Sequence, residues 1–246
     1  MTGESKVAIV TGGGTGIGRA VCLRLAREGC AVAVIYSRSA EEARETVNLI
    51  RATGGEALSI RADVSDGSQV DGMIEAVLDQ WGPMTYLVNN AAITKQLPFD
   101  DLELVTDAIW DDLLAVNLKG TFNCSRAAAP HMRRIPGSAI VNVGSIAGET
   151  GYGSSLPYAV SKAAVHGLTK SLARALAPHT RVNCIAPGAV DTRWWSGYED
   201  KMRKLSGALP LQRISTPEDI AESIFLLLTS PSITGQILRA ENGQTL

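Results

Sequence analysis

The chain lacks most of the signals that mark specialised protein classes. Its four cysteines, Cys22, Cys30, Cys124 and Cys184, include no Cys-x-x-Cys pair, so neither a disulfide framework nor a redox or zinc motif is written into it. They fall in predicted helix or strand interiors, where buried reduced thiols are expected. The three histidines, His131, His166 and His179, form no metal-spaced group, and no metal site is assigned. A formal net charge of −2 with no long basic block removes the electrostatic footprint of a nucleic-acid binder. No apolar run approaches the length of a membrane span, and no repeat or low-complexity segment stands out. What remains is 45% hydrophobic content over 246 residues, enough to bury one sizeable core. The expectation is a soluble, cytoplasmic protein with a single domain over residues 1–246.

Short β-branched runs alternate with longer helical patterns. Residues 6–11, 31–36, 57–61, 85–89, 138–144, 181–186 and 235–240 read as strands, nearly continuous in apolar character, as expected when helices cover both faces of a parallel sheet. Such regular alternation predicts βαβ units and an α/β, Rossmann-type doubly wound sheet of about seven strands. Ligands then collect at the carboxyl ends of the strands. Residues 190–210 break the alternation after a Pro-Gly and carry Trp194, Trp195, Tyr198 and Met202, which predicts an inserted substrate lobe or lid.

Directly after the first strand comes a turn containing Gly12, Thr15, Gly16, Ile17 and Gly18, followed by an apolar helical pattern through Glu28. Glycines are needed where backbone turns tightly and approaches a pyrophosphate, and the following helix directs free N–H groups at the anion. An acidic residue at the end of the second strand commonly binds the adenosine ribose of such cofactors, whereas an arginine accommodates a 2′-phosphate. Here Ser37 and Arg38 occupy the tip with no carboxylate, which predicts NADP(H) over NAD(H). Against this, Thr15 stands where a second basic residue would have strengthened the case.

Tyr158 and Lys162 lie four apart in a run rich in helix formers, residues 156–177, with Ser145 thirteen residues earlier. The pair shares one helical face. An ammonium beside a phenol favours the phenolate and is expected to pull the phenol toward neutrality, which suits proton transfer.

With Thr11-Gly-x-x-x-Gly-Ile-Gly18, Asp63-Val64, Asn89-Asn90-Ala91-Ala92, Asn117, Ser145, Tyr158-x-x-x-Lys162 and Pro187-Gly188 in this order, the chain resembles the short-chain dehydrogenase/reductase family from Lys6 to its C-terminus. Its nearest likeness is the compact branch that includes the 3-oxoacyl carrier-protein reductases. The resemblance implies that Tyr158 is the general acid or base, that Lys162 tunes it and holds the nicotinamide ribose, and that Ser145 binds the substrate oxygen. It implies that Asn117 holds a water relaying protons to Lys162. Among cofactor residues it implies Asp63 and Val64 at the adenine, Asn90 and Ala91 along the cleft, and Pro187, Gly188, Val190 and Thr192 around the nicotinamide. Plainer roles compete for some of these: a helix cap for Asp63 and a simple turn for Pro187-Gly188. Asn89 reads as structural. The family's usual Asn-Asn-Ala-Gly ends here in Ala92, costly only if that position needs φ > 0. The usual Asp-Gly-Gly near the C-terminus reads Glu241-Asn242-Gly243, and asparagine tolerates left-handed geometry.

The implied activity is hydride transfer between a nicotinamide cofactor and a carbonyl or secondary alcohol. Carrier-protein reductases tend to be basic where this chain has Pro136 and His179, although Arg133, Arg134 and Arg181 are nearby; a generic ketone or alcohol therefore ranks above a carrier-bound acyl chain. Arg193 reads as a rim charge. A hydrolase is disfavoured because Val143 stands where a nucleophile elbow needs glycine. A non-catalytic NADP(H) sensor leaves the Asn117, Ser145, Tyr158 and Lys162 set unexplained. Small and apolar residues around 121–129 and 163–176 predict a homotetramer, with a dimer as fallback.

Overall fold

The computed structural model describes residues 6–193, 197 and 199–246. Seven parallel strands form one sheet in the order β3-β2-β1-β4-β5-β6-β7: β1 Val7–Thr11, β2 Ala31–Tyr36, β3 Ala57–Arg61, β4 Tyr86–Asn89, β5 Ala139–Val143, β6 Arg181–Pro187 and β7 Ile237–Ala240. Pairing is in register from Val7 opposite Ala31 to Pro187 opposite Ala240. The predicted strands all form, with ends moved by at most two residues. The chain winds outward from β1 in one direction and from β4 in the other, so the crevice between their carboxyl ends is the topological switch point.

Both faces of the sheet are dry because successive side chains point oppositely and both sets are apolar. Ala8 and Val10 of β1 join a core with α1 (Gly16–Arg27), α2 (Ala40–Ala52) and α9 (Pro217–Thr229), through Leu25, Ile50, Ile220 and Ile224 among others. Val7 and Ile9 face the other core, closed by α3 (Gly67–Trp81), α5 (Thr121–Met132) and α7 (Leu156–Leu176) through Met73, Met132 and Leu176. Each fully buried aliphatic side chain contributes about 1.5–3 kcal/mol relative to exposure.

Local chemistry sets the helix starts. Asp66 caps α3, its Oδ1 accepting the N–H of Ser68 at 2.9 Å. Ser155 caps α7 by accepting the N–H of Tyr158, with Pro157 in the first turn. Thr216 and Asp219 close a reciprocal capping box on α9. The short helix α4 (Asp107–Leu114) runs without a break into a π-helical turn, Ala115–Gly120, and on into α5. The remaining elements are α6 (Ala147–Thr150) and α8 (Glu199–Ala208). All four cysteines are buried and unpaired. Among the described residues no helix is long and apolar enough to cross a membrane.

Candidate active site

The glycine-rich turn after β1 is held from several sides. Gly13 donates its N–H to Ile35 O at 3.0 Å, tying the turn to β2. Gly14 O accepts from Arg19 Nε at 2.9 Å and from Thr46 Oγ1 at 3.2 Å, and Arg19 also reaches Glu42 O and Glu45. Gly12 and Gly16 take left-handed φ values of +64° and +51°. A Cβ at Gly18 would lie 2.1 Å from Gly12 O, so only glycine fits there. Thr15 occupies the N-cap of α1 with no side-chain cap. The turn thus presents uncapped helix N–H groups behind a surface kept bare of side chains, which fits a pyrophosphate.

Across the switch point Thr11 joins β1 to the end of β4. Its hydroxyl accepts the N–H groups of Asn90 and Ala91, each at 3.0 Å, and Asn90 Nδ2 donates to Thr11 O and Gly12 O. Asn90 and Ala91 therefore flank the glycine turn as predicted. Ala92 does not take a positive φ, so its methyl adds no backbone strain; Asn242 does, at +56°. Ser37 and Arg38 stand exposed at the tip of β2. Asp63 does not cap α3, a role taken by Asp66; its carboxylate accepts the backbone N–H and hydroxyl of Ser65. Val64 is buried beside Gly120, where an added Cβ would meet it at 2.6 Å. Pro187 and Gly188 are more than a turn: Pro187 O accepts from Ile146 N at 3.0 Å, and Gly188 N donates to Ala240 O. Val190 bridges to Ser215, and Thr192 lies over the turn, 3.3 Å from where a Gly16 Cβ would be. Ile17, in the first turn of α1, packs against the core.

Ser145, at the end of β5, and Tyr158, in the first turn of α7, share a side-chain hydrogen bond. Lys162 is buried one turn further on, its Nζ 5.8 Å from the Tyr158 ring centroid. The electrostatics differ from expectation. Burial pushes the Tyr158 phenol up to about 12, opposed by the Ser145 hydrogen bond. Burial lowers the Lys162 ammonium to about 8. Lys162 Nζ donates to Val143 O at 2.8 Å instead of approaching the phenolic oxygen closely. Desolvation therefore outweighs the attraction predicted from the four-residue spacing, and the phenol is held in its acid form.

Asn117 lies on the π-helical turn and is fully enclosed. Its Oδ1 accepts from Ile93 N at 2.9 Å and its Nδ2 donates to Ile93 O and to Ser161 Oγ; Ser161 in turn donates to Tyr158 O at 2.7 Å. Its side chain fixes the β4–α4 loop against the helix carrying Tyr158. Below it, Asn89 Nδ2 donates to Ser125 Oγ and Asn142 Oδ1, and Asn142 Nδ2 to Thr169 Oγ1. Asn89 is structural, a rung in a buried polar ladder under the site.

Sequence reasoning passed over Arg19, Ser161 and the stacked Phe99–Tyr152 pair, ring centroids 4.8 Å apart, which joins the β4–α4 loop to the turn before α7. No local pattern announces any of them. Of the predicted lobe, Met202 is partly buried on α8, while Trp194, Trp195 and Tyr198 lie outside the described residues.

The sequence profile of the short chain dehydrogenase family matches residues 6–203. The 3-oxoacyl-(acyl-carrier-protein) reductase of Staphylococcus aureus is 39% identical over 244 residues, 97% of this chain and 98% of that protein. A short-chain dehydrogenase/reductase homologue of Bacillus subtilis is 60% identical over 129 residues, 52% of this chain and all of that protein. A short chain dehydrogenase of Burkholderia cenocepacia, solved in complex with NADP, superposes with a TM-score of 0.89 at 34% identity over 98% of both chains. The fold, the glycine turn at its switch point and these matches together make the chain a member of the short-chain dehydrogenase/reductase family, an oxidoreductase acting on carbonyl and alcohol groups.

Proposed function

We propose that this protein is an NADP(H)-dependent reductase of ketones, or dehydrogenase of the matching secondary alcohols, in which Tyr158 moves the proton. The observation that carries the reading is the hydrogen-bonded Ser145–Tyr158 hydroxyl pair at the carboxyl edge of the sheet, beside the bare glycine turn. NADP(H), when bound, supplies or takes the hydride. The chain's own residues do the rest. Tyr158, held protonated near neutral pH, donates its phenolic proton to the carbonyl oxygen during reduction. Ser145 hydrogen-bonds that oxygen and stabilises the charge developing on it. Lys162, anchored to Val143 O, puts a positive charge beneath the site, and Asn117 fixes the loop opposite. The glycine turn with Gly12, Gly16 and Gly18 holds the pyrophosphate, and Arg38 with Ser37 takes the 2′-phosphate.

Residues 1–246 act as one unit, with residues 190–210 shaping the substrate pocket. The setting is the cytoplasm, consistent with four unpaired thiols. Assembly is a homotetramer through α5 and α7, between which Phe122, Arg126, Arg133 and Leu176 line a cavity of about 280 Å³; light scattering that found a monomer at micromolar concentration would refute this. The decisive activity test is NADPH oxidation against a panel of ketones, oxo-esters and sugars. Turnover that disappears in Tyr158→Phe while NADPH still binds supports the reading, and turnover that survives overturns it.

A carrier-bound 3-oxoacyl substrate is the second reading, favoured by the Staphylococcus aureus relative. Arg133 and Arg134 are exposed for docking, but Arg181 is committed elsewhere, its guanidinium donating to Leu227 O at 2.8 Å and to Leu228 O at the end of α9. Comparing kcat/KM for an acyl-carrier thioester with that for small ketones ranks the two.

A further inference from the structure

Arg193 reads from sequence as a rim charge of the substrate lobe, yet it points to the opposite end of the cleft. Thr192 lies against Gly16. From there the Arg193 guanidinium extends to the β2–α2 turn: Nη2 donates to Ser39 Oγ at 3.4 Å, and Nη1 lies 3.5 Å from Glu42 Oε1. Ser39 directly follows Ser37 and Arg38, so two guanidinium groups, from segments 154 residues apart in the chain, flank one short exposed turn. Both contacts of Arg193 are long and its side chain is 63% exposed. An ion pair of that kind is worth at most about 1 kcal/mol, so a ligand offering better acceptors displaces it. A phosphate monoester offers three strong acceptor oxygens to a guanidinium fork.

We propose that Arg193 is a second basic residue for the cofactor's 2′-phosphate, resting on Glu42 until the phosphate takes its place. This rests on the NADP(H) reading above, and it supplies the positive charge that Thr15 withholds from the glycine turn. A cofactor with a free 2′-hydroxyl gives Arg193 no reason to leave Glu42, so the residue discriminates between the two cofactors and does not merely close the cleft.

The test is binding, followed by quenching of protein fluorescence on titration with NADPH and with NADH, using wild type, Arg193→Gln and Glu42→Gln. Arg193→Gln is expected to weaken NADPH about 10-fold or more, the usual scale for one charge-assisted hydrogen bond, and to leave NADH within about twofold. Glu42→Gln removes the competing carboxylate and is expected to tighten NADPH selectively. Equal weakening of both cofactors in Arg193→Gln makes the residue a strap over the pyrophosphate and overturns the proposal; no change in either does the same. If wild type binds NADH as tightly as NADPH, it is the underlying cofactor assignment that falls, a result visible before any variant is made. An unchanged thermal midpoint confirms that the exposed substitution leaves the fold intact.

Discussion

Two segments meet over the pyrophosphate end of the cleft and are built in opposite ways. In the β1–α1 turn nearly every position is held by backbone: Gly13 by Ile35, Gly14 by two donors, Gly18 by the carbonyl of Gly12. The segment after β6 is anchored once, by Asp191 N to Ser215 O at 2.9 Å, and beyond that reaches its neighbours only through the side chains of Thr192 and Arg193. The first segment must fit a group common to all dinucleotides, so rigidity costs it nothing. The second faces whatever differs between cofactors and substrates, and side-chain contacts can be exchanged without disturbing the sheet.

Substitutions should therefore sort by side. The largest effect is expected at the chemical group on the rigid side: Tyr158→Phe lowers kcat by about 10²–10⁴-fold, the range for losing a general acid, with NADPH affinity nearly unchanged in a fluorescence titration. Gly18→Ala strikes the turn itself. Its methyl would stand 2.1 Å from a backbone carbonyl, and calorimetry is expected to show a loss of about 1–3 kcal/mol of stability, typical of overpacking, with cofactor affinity falling as well.

Lys162 sharpens the comparison through pH. Its folded value is lowered to about 8 from 10.5, so between these limits the folded protein sheds a proton that the unfolded chain keeps, and its contribution to stability rises with pH. Tyr158, raised to about 12 from 10, works the other way above pH 10. Subtracting the Lys162→Met unfolding curve from that of wild type isolates the lysine. The expected difference favours wild type progressively from pH 8 to about 10.5, and a flat difference would mean that Lys162 is not desolvated. The smallest effect belongs to the other side: Met202→Ala is expected to alter KM for apolar ketones by no more than about 10-fold, one side chain's worth of apolar contact, and to leave the thermal midpoint in place.

The strands were legible because a sheet covered on both faces writes near-continuous apolar runs, as in residues 31–36. The glycine turn was legible because only glycine tolerates the backbone of Gly12 and the crowding at Gly18. Illegible features depend on partners remote in sequence. Arg19 braces Gly14 through contacts with α2, Ser161 links Asn117 to Tyr158, and Arg193 reaches Ser39 across most of the chain. The four-residue spacing of Tyr158 and Lys162 correctly placed both on one helix. It carried no information on burial, and burial decides the sign of the phenol's shift.

The π-helical turn at Ala115–Gly120 can be seen as one residue too many in an otherwise continuous helix from Asp107 to Met132. Excising a single residue there would let the hydrogen-bond ladder close in ordinary α form and turn everything downstream by about 100°. Asn123 would leave Val64 O and Ser125 would leave Asn89, even though neither had been altered. In this stretch, the number of residues matters more than the identity of most of them.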